Sequence, residues 1–154
     1  MAFSRDKLYR LNLSRATTMS TAQAPGPIPK YIYKILDSAP PSPIPNDMPL
    51  SDLDRTDGFI HLSTGWRVPL TAGMYFKDAN SLGLLRLDAD AVRAENARLE
   101  WADPGCVHMF AQEDGKWARM GAGTVVDAKE FVREDEKTWE DVLTKEAQSG
   151  WLHD

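Results

Sequence analysis

Asp57-Gly58-Phe59-Ile60-His61-Leu62-Ser63-Thr64 is the stretch on which the fold turns. Asp57-Gly58 is a turn signal. Phe59 to Leu62 is a short strand with almost no polar relief, which places it inside a sheet. Ser63 and Thr64 end that strand at a junction with a helix, and Pro69 suits the first turn of a helix running to about Phe76. Alternation sends Phe59 and His61 to one face and Ile60 and Leu62 to the other. A histidine in such a strand either makes one satisfied hydrogen bond in the core or points into a ligand cleft.

Upstream, Tyr31-Ile-Tyr-Lys-Ile35 is aromatic and β-branched and predicts a strand. Pro40 to Pro49 cannot be regular structure and predicts an ordered loop. Ser51 to Arg55 predicts a single helical turn, with Ser51 as N-cap and Asp54 at the N3 position. Downstream, Leu82 to Leu87 is an apolar strand ended by Asp88, and Asp90 to Glu95 is a short helix or turn. Arg98 to Trp101 is a brief strand. Cys106 to Gln112 and Lys116 to Met120 flank Asp114-Gly115, a type I′ hairpin signal that requires positive φ at Gly115. Thr124 to Val132 predicts a strand. Asp135 to Gln148 predicts an amphipathic helix burying Trp139, Val142 and Leu143. Strands outnumber helices and do not alternate with them, so the expected class is α+β and not a doubly wound parallel sheet.

The chain has 154 residues, net charge -5 and one cysteine, Cys106. That size suits one domain. A single cysteine excludes an internal disulfide framework and a multi-cysteine zinc site. The acidic balance disfavours nucleic acid as a partner, and no apolar run nears the roughly 20 residues of a membrane span. Residues 1–29 are different in kind: Arg5, Lys7, Arg10 and Arg15 stand against Asp6 alone. Their spacing would let Phe3, Leu8, Leu11 and Leu13 share part of a helical face there. That composition predicts a disordered or targeting-like tail ending in a stiff proline linker, Ala24 to Pro29. The folded domain is expected over residues 30–154. A cytoplasmic location is expected, with mitochondrial import as the alternative that the basic segment suggests.

Two histidines carry the expected chemistry. His61 and His108 lie on separate short strands and can converge on one cleft as acid and base, since an ordinary histidine titrates near pH 6.5. Ser63 and Thr64, at the strand-to-helix junction, can hold a polar or anionic group. Tyr33, Lys34 and Phe76 complete the expected ligand contacts. No third ligand accompanies the histidines, so no metal is expected. The nucleotide loops, the nucleophile elbow and the paired-histidine zinc motif are missing. The partner expected is a small molecule, bound either for turnover or, in a non-catalytic module, without it.

In order along the chain, Tyr31 to Ile35, Asp57 to Thr64, Val68-Pro69, Thr71-Ala72, Tyr75-Phe76 and Leu84 to Asp88 resemble the family called domain of unknown function 952. Arg98 to Trp101, His108 to Phe110 and Thr124 to Asp127 continue the resemblance, which spans about Lys30 to Val132. It implies an ADP-ribosyltransferase-like fold: small split mixed sheets around a cleft, with a central and a C-terminal helix. It also brings in NAD as the one cofactor to consider, although no residue pattern demands a cofactor. The stretch Ile60 to Ser63 is similar to a motif of the RNA 2′-phosphotransferases of that fold. Two departures follow. Lys34 stands where members of the family often have histidine. The acid that such a transferase needs has only Asp127 and Glu130 as loose candidates.

Overall fold

In the computed structural model, residues 26–113 and 116–154 are described. Six strands form one sheet: β1 Tyr31–Leu36, β2 Ile60–Ser63, β3 Ser81–Asp88, β4 Ala97–Asp103, β5 Cys106–Ala111 and β6 Val125–Val132. Among the described residues four helices accompany them: α1 Asp52–Asp57, α2 Val68–Tyr75, α3 Ala89–Ala94 and α4 Trp139–Ser149. The α+β class expected from the sequence is the class observed. Strand order is β4-β5-β2-β1-β3-β6 and every pair is antiparallel. The described residues therefore form a single antiparallel sheet where small mixed ones were expected.

Alternation builds both faces. Ile32, Ile60, Leu62, Leu85, Leu87, Val107 and Met109 form one core with Val92 of α3. Tyr33, Ile35, Leu82, Leu84 and Phe131 form the other, under Val68 and Ala72 of α2 and Trp139 and Leu143 of α4. The Trp139 and Leu143 stripe of α4 is buried as its spacing requires. The helix starts at Trp139, after Asp135, because Thr138 caps it with a complete capping box. Asp88 ends β3 by capping α3 through Asp90 N and Ala91 N.

The hairpin reading is corrected. Residues 116–120 form no strand, because both edges of β5 are already paired, to β4 and to β2. That segment instead carries Ala118 and Met120 into the core. Asp114-Gly115, and with it the φ expected for Gly115, lies outside the described residues, as do residues 1–25. Met48 N donates to Met120 O at 2.7 Å and Ala122 N to Pro45 O at 2.9 Å, so the proline-rich loop docks on residues 120–122. Gly121 permits this approach: a Cβ there would stand 2.0 Å from Asn46 O.

The sheet has a seam. β1 and β2 pair at Tyr33↔Ser63 alone, whereas β1 and β3 pair over six residues and β2 and β5 over four. Two residues before Ser63, His61 N–H and C=O would be due to pair with β1, and side chains have taken the place of the β1 backbone. The segment Trp151–Asp154 then crosses the sheet. Tyr33 hydroxyl accepts from His153 N at 3.1 Å and lies 2.9 Å from His153 O. Arg86 Nη2 donates to Trp151 O, and Gly65 N donates to Asp154 Oδ1 at 2.9 Å.

Candidate functional site

The seam opens because α1 is wedged against it. Ser51 caps α1 as expected, its Oγ accepting from Asp54 N at 3.1 Å. Gly58 ends the helix in the left-handed region at φ 84°, which glycine adopts at no steric cost. Asp54 was expected to serve the cap; its carboxylate turns inward instead. Oδ1 accepts from His61 N at 3.1 Å and lies 2.7 Å from His61 Nδ1. Oδ2 accepts from Lys34 Nζ at 2.7 Å, and Lys34 Nζ also donates to His61 O at 3.2 Å. Asp54 and Lys34 thus satisfy the two backbone groups of His61 that β1 leaves unpaired, as buried backbone requires.

Asp57, one turn after Asp54 on the same helix face, places Oδ2 2.9 Å from His61 Nε2. Both ring nitrogens of His61 therefore face carboxylates. A doubly protonated ring makes both bonds as donor; a neutral ring donates only one. Burial alone would raise the pKa of Asp54, but the bond from His61 and the charge and bond of Lys34 outweigh it, lowering the value from 3.8 to about 2.

His61 and His108 face each other in the β2–β5 ladder. His61 N–H and C=O point toward β1, so this is a non-hydrogen-bonded pair, whose side chains approach closely. Their ring centroids are 5.1 Å apart. Phe59 stacks on His108 at 4.0 Å and tilts against His61 at 4.8 Å. Burial, helped by the adjacent His61 ring, pushes the pKa of His108 down to about 3. His108 is a neutral member of an aromatic cluster.

A cleft of about 680 Å³ opens over the seam. Tyr33, Lys34, His61, Ser63 and Phe76, all singled out from the sequence, line it. Met48 of the proline-rich loop, the adjoining Leu50 and Leu53 of α1 roof it, and Tyr75 closes the α2 side. His108 and Thr64 do not line it. Thr64 is fully buried, its N–H bonded to Gly105 O, and its hydroxyl has no hydrogen-bond partner among the described residues. Ser63 and Thr64 do not cap α2, whose N-cap is Arg67 without a side-chain bond. Asp127 binds Trp151 Nε1 at 3.0 Å, and Glu130 is exposed on the edge strand β6; neither lines the cleft. Among the described residues no cluster of three metal-ligating side chains occurs, and no helix is long and apolar enough to cross a membrane.

Sequence reading missed Asp54 and Asp57. The signal was there: two acids three residues apart share a helix face, and that helix immediately precedes the histidine strand.

Residues 45–120 match the family described as Protein of unknown function (DUF952). The matched span runs from the proline-rich loop through β5, so it holds Asp54, Asp57, His61 and His108. Lys34 lies before it. A crystal structure of protein CC0527 from Caulobacter crescentus is similar, with TM-score 0.53 and 25% identity over 74% of this chain and 98% of that one. A double mutant of the same protein gives the same figures. A comparison with curated proteins finds no match.

Proposed function

We propose that the protein binds a small organic molecule in the cleft over the β1–β2 seam. The cleft itself carries this reading: its volume of about 680 Å³ falls in the range of small-molecule sites, and it joins an apolar roof to a few convergent polar groups. Binding without turnover has more support than acid–base catalysis. Both nitrogens of His61 are engaged by Asp54 and Asp57, and His108, held neutral by burial, lies off the cleft. The catalytic reading rests on one feature, the Asp54–His61 pair, which orients an imidazole in the way general acid–base catalysis needs. For it to operate, Asp57 must release Nε2 to a substrate. The seam also supports the finer likeness to the ADP-ribosyltransferase fold, whose sheets part around a cleft.

Thr56→Trp tests the site. Thr56 is exposed at the cleft wall and outside the ion network. In a thermal-shift panel of small metabolites, compounds that stabilise the wild type should lose their effect in this variant. Equal shifts in both proteins would place binding elsewhere and end the proposal. His61→Gln separates the two readings: binding retained and any turnover lost would favour catalysis.

A further inference from the structure

We infer that the cleft is built for an uncharged molecule with a flat apolar body and a carbonyl oxygen, such as a lactone, ketone or amide of one or two rings. This deepens the proposed binding function and rests on it.

Charge is the first argument. Lys34 is the one lysine or arginine among the lining residues, and Asp37 and Asp52 stand at the rim. The Lys34 ammonium is already matched by Asp54 at 2.7 Å. A phosphate or pyrophosphate would enter a cleft whose lysine and rim acids sum to a negative charge, with a further carboxylate behind its floor. Helix ends give no relief. The N-terminus of α1 is served by Ser51 and flanked by Asp52 and Asp54. α2 presents its C-terminal residues Tyr75 and Phe76, the end of a helix that disfavours anions.

Donor geometry is the second argument. An ammonium has three N–H groups and no acceptor. Lys34 directs one to Asp54 Oδ2 and one to His61 O; among the described residues no further bond takes the third, and Lys34 lines the cleft. Ser63 lines the same floor, and among the described residues its Oγ makes a long bond, 3.4 Å, to Thr71 Oγ1. A charge-compensated donor beside a hydroxyl suits the oxygen of a polar, neutral group. Ile35, Met48, Leu50, Leu53, Tyr75 and Phe76 then offer apolar and aromatic surface to the rest of the molecule.

Four probes test this on the full chain by isothermal titration: coumarin, a neutral aromatic lactone; chroman, its analogue without the carbonyl; coumarin-3-carboxylate; and inorganic pyrophosphate. Coumarin should bind about tenfold more tightly than chroman, the worth of one good hydrogen bond. Coumarin-3-carboxylate should bind less tightly than coumarin, and pyrophosphate not at all. Replacing both exposed rim acids, Asp37→Asn with Asp52→Asn, should raise the affinity for coumarin-3-carboxylate several-fold while leaving coumarin unchanged. Lys34→Met, checked for folding, should bring coumarin down to the level of chroman. Chroman equal to coumarin, or either anion binding more tightly than coumarin, would overturn the ligand class and leave the binding site standing. Failure of all four probes to bind would overturn the site as well.

Discussion

Asp54→Asn removes one charge from beneath the cleft and keeps the shape of the side chain. The carboxylate receives Lys34 Nζ and the His61 backbone N–H and faces His61 Nδ1. An amide offers one oxygen and one donating nitrogen, so at least one of these partners meets a donor. Lys34, nearly buried, is left without its counter-charge. Removing one member of a buried ion pair costs about 3–5 kcal/mol, and contact with the cleft favours the lower end, about 3 kcal/mol. Acid gives an independent measure. The folded-state pKa of Asp54 lies at about 2 against an ordinary 3.8, worth about 2 kcal/mol at about 1.4 kcal/mol per pH unit. A lowered carboxylate contributes fully above its unfolded pKa and loses its contribution as the pH falls through the folded one. The stability gap between wild type and variant should therefore be constant from neutral pH to about pH 5 and narrow by about 2 kcal/mol toward pH 2. Urea denaturation followed by tryptophan fluorescence across that range measures it. A variant as stable as the wild type at neutral pH, or a gap that acid leaves unchanged, would refute the account of the network.

His108, pushed down to about 3 from 6.5, should keep a constant ring chemical shift by NMR as the pH falls to about 5; titration near 6.5 would show that it is not desolvated. Its unfolded form takes up the proton that the fold refuses, so its contribution is complete above pH 6.5 and declines as the pH falls toward 3. Tyr33→Phe removes the hydroxyl bonded to Trp151 and His153 and should cost about 1–3 kcal/mol, with faster proteolysis after Gly150; unchanged proteolysis would mean that this hydroxyl does not hold the segment. Gly121→Ala puts a Cβ 2.0 Å from Asn46 O. It should displace the proline-rich loop and weaken cleft binding by about tenfold, consistent with loss of roughly one good contact, and titration of a cleft ligand would read the change.

Position along the chain made the strands legible, and burial made the partners hard to see. Phe59 to Leu62 reads as an inner strand because no polar side chain except His61 interrupts it, and the adjoining Asp57-Gly58 and Pro69 mark where flanking helices stop and start. The hairpin at Asp114-Gly115 was misread for a non-local reason. A turn signal reports local preference, whereas the pairing of β5 was settled by β2, far away in sequence. The site followed the same division. His61 and Ser63 were found because strand alternation points them to one face; of Tyr33 and Lys34 alternation could point only one inward, and both line the cleft. Asp54 escaped because capping, a local role, explained it well enough, and its real partners lie 7 and 20 residues away. Lys34 in the apolar run Tyr31 to Leu36 was itself a demand for a buried acid, one that only the fold could answer.

The crossing segment Trp151–Asp154 has a mechanical meaning. At Gly65 it grips the end of the β4-β5-β2 half of the sheet, and at Tyr33 and Arg86 it grips the β1-β3-β6 half. It is thus a brace spanning a joint that the ladder fastens at a single rung. The contact is a long-range one, since Tyr33 and His153 are 120 residues apart. Apart from that rung, the joint is held by the Lys34 bonds to Asp54 and His61 O and by this brace. The shape of the cleft over the seam therefore depends on a contact made 120 residues downstream of the strand that lines it.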